Sequence, residues 1–442
     1  NLGYVLATRE GPFFENKNID TVIVPEGVTA IGLSCFENST IRRIYLPSTL
    51  ITLSYGAFAD CENLEGVYWY DASEDSDSGI EYDADKNTYN WDKFFATAST
   101  EMTAQSLVVG SDAFYGCAKL RDIDFGGVTA LYEFAFDGCT SLSGTLDLTD
   151  LRFSGMNVFN GCGNVTGVEL DVNTVLGAYM FTGTSIQQIT YYGSYVGDRV
   201  FSGMPDLRSV TFAVPQSQNY SSLTTIGSRA FENCTSLESV TFERSFTTLG
   251  SYAFAGCSSL AEIELPAGLT SLGDYAFQGC SSLESVVIDG SSQLEYIGAD
   301  LFRGCTSLAS ISLESDSAYY QQITAGDCCM IADKSGNAVL VPPAFAVQSE
   351  GDTVVVGEGM TAIGDNAYAN NASFNGKTII IADSVKSIGR AAFAGTGAVK
   401  VIIPATVEEI GADAFAYSEQ LTGAVLYGDL TAIPEGMFRG CT

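Results

Sequence analysis

Histidine is absent from all 442 residues. That removes Ser-His-Asp and Cys-His catalysis, together with every histidine-ligated zinc or iron site. Basic residues are scarce as well: 20 Lys and Arg stand against 53 Asp and Glu, a net charge of −33. Such a balance opposes binding to nucleic-acid phosphates or anionic lipid, and it either keeps a large exposed surface soluble or steers basic partners toward it. No apolar run approaches the roughly 18 residues needed to span a bilayer, so no membrane insertion is expected of this segment. Phosphate-binding glycine loops and close C-x-x-C pairs are missing too, and the 46 glycines fall mostly at one or two turn positions per repeat. Carboxylates are numerous enough for a glycosidase pair, yet nothing places two of them in a cleft. No catalytic, metal-ligating or cofactor-binding residue is expected, and the chain reads as a protein that is not an enzyme.

What is present is a repeat. In Leu260 to Cys280, Ile263 and Leu265 alternate with Glu262 and Glu264, the pattern of a strand with one buried face. Pro266 ends that strand. Leu269 and Leu272 then enter the core from the opposite wall, and Gly273 supplies either a positive φ or room for close backbone approach. Ala276, Phe277 and Cys280 fit one face of a short helical turn. The rung aromatic recurs from Phe36 to Phe438, mostly every 22 to 25 residues, so each repeat buries its apolar side against its neighbours. The expectation is an α/β-type repeat solenoid: a curved, right-handed coil with a strand plus a short second strand or helical turn per repeat of about 23 residues.

The pattern L-x-x-I-x-L-P-x-x-L-T-x-L-G-x-x-A-F-x-x-C is whole from Leu260 to Cys280 and partial at Val22 to Phe36, Ile44 to Cys61, Leu237 to Cys257 and Val401 to Phe415. It resembles the BspA-like leucine-rich repeat family over nearly the whole chain. That resemblance implies a secreted or surface-attached protein of a host-associated bacterium, with several relatives regarded as adhesins.

A single solenoid over residues 1–442 is expected, broken by two irregular regions. An acidic insert at about 71–101 contains Asp83-Ala-Asp85-Lys-Asn87, similar to the opening of a calcium loop, but Thr88 and Phe94 replace the glycine and bidentate glutamate that such a loop needs. It reads as a solvated insert. The second region, about 314–350, holds a β-hairpin over Met330 to Val341 with its turn at Asp333 to Asn337. Vicinal Cys328 and Cys329 read as thiols on opposite faces of a strand.

Nine of the twelve cysteines stand three residues after a rung aromatic, where stacked coils bring them within disulfide reach. Thr184, Met204, Thr396 and Ser418 hold the same position, which favours a ladder of buried free thiols and a requirement for small to medium volume. Neither end resembles a natural terminus: signal and anchor segments are not present, and further repeats or an anchor are expected beyond this segment.

The outward row of the main strands passes from Ile23, Tyr45 and Tyr68 through acidic and hydroxylated residues to Val355, Ile380, Ile402 and Val425. Tyr45, Tyr68, Trp69 and Tyr70 are residue types enriched in binding hot spots, and the β-branched strip is a second candidate contact surface. The reading is an extracellular, adhesin-like solenoid that binds host matrix or other microbial proteins. A glycan-binding module and a spacer without its own ligand are the alternatives.

Overall fold

The computed structural model describes residues 12–70, 81–83, 88–90, 106–172, 174–214, 223–289, 293–314, 319–325, 328–334, 337–340, 349–358, 360–428, 430 and 432–442. These form two compact units. The first comprises residues 1–193, 197–207 and 215–220, and the second 194–196, 208–214 and 221–442.

One coil of the second unit shows how the repeat folds. Glu262–Leu265 is a long strand that pairs in parallel with Ser285–Ile288, placing Ile263 beside Val286 and Leu265 beside Ile288. Ile263 and Leu265 are buried and Glu264 is exposed, as strand alternation requires. Leu269 is buried in the turn that follows. The short strand Ser271–Leu272 pairs in parallel with Thr248–Leu249 on one side and Tyr296–Ile297 on the other, closing the opposite wall.

The helical turn expected at Ala276 to Cys280 does not form. Tyr275 has φ 57° and Gly279 φ 74°, so two left-handed residues bracket Ala276 and Phe277 and leave no room for a helical turn. The alternate amides of Tyr275, Phe277 and Gly279 donate instead to Ala299, Leu301 and Arg303 carbonyls of the next coil, at 2.9, 3.0 and 2.8 Å. Among the described residues the one helical element is a single 3-10 turn, Ala372–Phe374. The fold is a parallel β-solenoid rather than an α/β one.

Gly273 is held by close approach, since a Cβ there would lie 2.4 Å from the Ser251 nitrogen, and its φ is not positive. The rungs stack face to face in runs within each unit. In the first unit Phe13, Phe36, Phe58, Phe114, Phe136, Phe159, Phe181 and Phe201 follow one another at 4.9 to 6.1 Å. In the second, Phe231 to Phe302 and Tyr368 to Phe438 form two more. Phe13 begins the first run and was not apparent from the repeat pattern.

The cysteine position has a chemical requirement that volume alone does not express. The Sγ of Cys61, Cys139, Cys162, Cys257 and Cys280 each donates to the rung carbonyl of the preceding coil, at 2.9 to 3.2 Å. These thiols are free. Ser418 makes the same bond to the Phe393 carbonyl at 3.2 Å, and Thr184 turns its hydroxyl to its own rung Phe181 at 2.8 Å. The position takes a small side chain that donates, with Met204 the exception. Cys257→Ala, which leaves the Phe231 carbonyl without its thiol donor, is expected to cost about 2 kcal/mol, and Cys257→Ser about half as much. Equal losses in urea unfolding would return the position to volume alone.

The two irregular regions differ in kind. Phe58 stacks directly on Phe114, and the Phe58 amide donates to the Ala113 carbonyl at 2.7 Å, so what lies between Gly66–Tyr70 and Leu107–Val109 beyond an ordinary repeat is an insert. Within it, Glu81–Asp83 and Thr88–Asn90 pair antiparallel; the calcium-loop residues 84–87 lie outside the described residues. In the second region, Cys328–Asp333 and Asn337–Leu340 form the expected hairpin, and a third strand, Tyr320–Ala325, lies antiparallel to the first. The Cys328 and Cys329 side chains lie outside the described residues.

Candidate interaction surface

Among the described residues no group of three or more Cys, Asp or Glu is arranged to hold a metal ion, and no helix is long and apolar enough to cross a membrane.

On the long-strand wall of the first unit, Arg43–Pro47 pairs in parallel with Gly66–Tyr70, aligning Tyr45 with Tyr68. The two rings stack at 5.2 Å, and the Tyr68 hydroxyl donates to the Asp122 carboxylate at 3.1 Å. Burial first, and then the Asp122 charge, push the Tyr68 phenol above its ordinary value. Arg42 and Arg121 flank Glu65 nearby, at 3.0 and 3.4 Å. The hydrogen bond from Arg42, before any charge effect, holds the Glu65 carboxyl below its usual range.

The described aromatics named on this wall differ in exposure. Trp69 is 1% exposed, because it takes the inward parity of its strand beside Leu46. It is core, not contact surface. Tyr45 is outward by parity yet only 6% exposed, Tyr68 is half-buried, and the Tyr70 side chain lies outside the described residues.

The β-branched strip of the second unit is brought together as read. Val355 aligns with Ile380, Ile380 with Ile402 and Ile402 with Val425 across four parallel strands. Val355 is 37% exposed and the other three are half-buried, so the strip is a continuous apolar row reached by solvent.

Two arrangements escaped the sequence. In the first unit, large apolar residues gather on the short-strand wall and its following turn: Tyr55, Tyr132, Phe153, Met156 and Val175 are all exposed. The signal was present in the outward position of the second strand, where Phe153 and Val175 replace the hydroxylated residues of other coils. In the second unit, the Arg229 guanidinium carbon sits 4.2 Å above the Tyr252 ring, which stacks on Tyr275 at 4.9 Å. The Asp300 carboxylate raises the Tyr275 phenol, and the Tyr296 hydroxyl donates to Asp274 at 3.0 Å. Aromatics and carboxylates meet here, but both faces of Tyr252 are already covered.

The comparisons with known proteins agree with the repeat. No curated protein matches the chain. Among solved structures, a leucine-rich repeat protein from Eubacterium ventriosum is 21% identical with a TM-score of 0.47, over 58% of this chain and 64% of that one. This chain therefore spans just under two thirds of that protein's length. A leucine-rich repeat protein from Bacteroides ovatus is 22% identical with a TM-score of 0.38, over 66% and 86% of the two chains. A leucine rich cell surface protein from Faecalibacterium prausnitzii is 23% identical with a TM-score of 0.34, over 68% and 89%. The model of the BspA type leucine rich repeat region matches in 6 copies, over residues 8–77, 87–208, 195–329 and 343–442, and indicates no enzymatic family. With that pattern running through both units, the chain belongs to the BspA-type leucine-rich repeat family.

Proposed function

We propose that the chain is a non-enzymatic, extracellular or cell-surface interaction protein, adhesin-like, whose solenoid walls bind a host matrix protein or another microbial surface protein. The observation that carries this reading is the in-register strip Val355, Ile380, Ile402 and Val425, four apolar residues side by side where a solvated wall would hold polar ones. The family resemblance supports the setting, and the excess of acid supports partners that carry positive charge. A glycan module on the N-terminal aromatics calls for an open aromatic face beside carboxylates, and the burial of Tyr45 and Trp69 does not favour it there.

The test is label-free binding of the chain to a panel of matrix proteins and glycans at physiological salt. Saturable binding to one protein is expected, weakened at least tenfold by the double change Ile380→Thr and Ile402→Thr, which keeps strand-forming residues. Binding to glycans alone would favour the module reading. Silence across the panel would favour the spacer.

A further inference from the structure

The exposed apolar residues of the first unit's short-strand wall are not scattered. The Tyr132 and Phe153 rings lie 5.5 Å apart, and Phe153 bridges Val175 on the next coil. Met156 follows at the turn, its carbonyl accepting from the Phe134 amide. Met156 is 47% exposed, an unusual degree for a side chain that fills core gaps readily. Single exposed apolar residues are ordinary on a folded surface, but a contiguous group marks a contact site.

Carboxylates outnumber cations beside this group. Glu133 directly follows Tyr132, and the Ser111 hydroxyl donates to its carboxylate at 3.0 Å. Asp112 stands close by. Burial raises its carboxyl above the ordinary value, against the hydrogen bond from Tyr55, and the charges of Asp137, Glu133 and Asp60 add to the rise. The cation that adjoins Phe153 in sequence, Arg152, is committed to Asp171 at 3.2 Å. An apolar seat rimmed by crowded carboxylates complements a basic segment and repels an acidic one.

We propose that this short-strand wall docks a basic polypeptide segment of a protein partner, its apolar side chains seated on Phe153 and Met156 and its Lys or Arg side chains meeting Glu133 and Asp112. The proposal rests on the protein-binding reading and names a surface separate from the Val355 strip.

The probe is a synthetic peptide alternating Lys with Leu, set beside matched peptides with Glu for Lys and with Ser for Leu, each titrated against the full chain. The Lys–Leu peptide is expected to bind saturably and more weakly as salt rises, with the two controls at least tenfold weaker. Phe153→Ser with Met156→Ser should lower its affinity at least tenfold, and Glu133→Gln about threefold. Met156→Lys, an exposed change that leaves Phe153 in place, should weaken binding by repulsion and covers the case in which the double variant folds poorly. Equal binding by these variants, or equal binding of the Glu peptide, overturns the proposal. A matrix protein that binds through Ile380 and Ile402 and ignores Phe153 and Met156 would also overturn it, while leaving the adhesin reading in place.

Discussion

Gly273→Ala is expected to lower the stability of its coil by about 3 kcal/mol, at the upper end of what overpacking costs. The added Cβ would lie 2.4 Å from the Ser251 nitrogen and 2.6 Å from the Gly250 carbonyl carbon. Those atoms belong to the backbone of the preceding coil, which is fixed by its own hydrogen bonds and cannot give as a side-chain tip would. Gly268→Ala is the internal control. Gly268 has φ +83°, and the nearest atom to its added Cβ is the Ser245 Cβ at 3.6 Å, so the change costs only left-handed strain, about 1 kcal/mol. Hydrogen exchange read coil by coil checks the pair, because a repeat array opens locally. A control that loses as much protection as Gly273→Ala would show that contact between coils is not what holds the glycine.

Alkaline pH is expected to unfold the protein steeply. Burial pushes the Cys162 thiol up to about 12 and raises Cys117 and Cys139, in the same unit, well above their ordinary value of 9.0. Below pH 9 each thiol is protonated in both states, so its contribution is fully present. Between 9 and 12 the unfolded chain releases the proton and the folded one keeps it, so stability falls by about 1.4 kcal/mol per pH unit for each thiol. Cys35, pushed by burial to about 11 in the same unit, and the buried Cys257 and Cys280 of the second unit add to the same fall. Urea unfolding of the intact chain at pH 8.5, 9.5 and 10.5 reads this slope. Replacing Cys117 and Cys139 by Ser should remove the share of two thiols, about 3 kcal/mol per pH unit, and an unchanged slope would assign the loss to tyrosine and lysine instead.

The strands were legible because parity and the rung repeat say the same thing in every coil: Ile263 inward, Glu264 outward, Phe277 in line with Phe254. The turn was misread because Ala276, Phe277 and Cys280 suit one face of a helix as well as they suit a chain of turns. A better signal lay beside them, in the Gly, Asp or Asn that precedes the cysteine position at Gly279, Asp60 and Asn233, all of which have positive φ. Trp69 was placed with the binding aromatics by residue type, where parity alone would have sent it inward. Phe153 and Met156 were overlooked because only the long-strand row was followed, and exposure on the second wall depends on which neighbours cover it. The thiol ladder was half legible: Ser418 and Thr184 mark the position as small, but the carbonyl that receives the hydrogen bond belongs to the backbone of another coil and has no sequence signature.

Phe58 and Phe114 are neighbours in the stack, and the Val108 amide closes on the Ile51 carbonyl at 2.9 Å across the same junction. Chain length at this junction is thereby released from the repeat. What leaves after one coil and returns at the next need only bring its ends together, and doubling such a segment costs about 0.6 kcal/mol in closure entropy. A lineage can lengthen, trim or exchange that segment while every coil keeps its partner. New recognition can then be gained by splicing in a passage, without redrawing the walls.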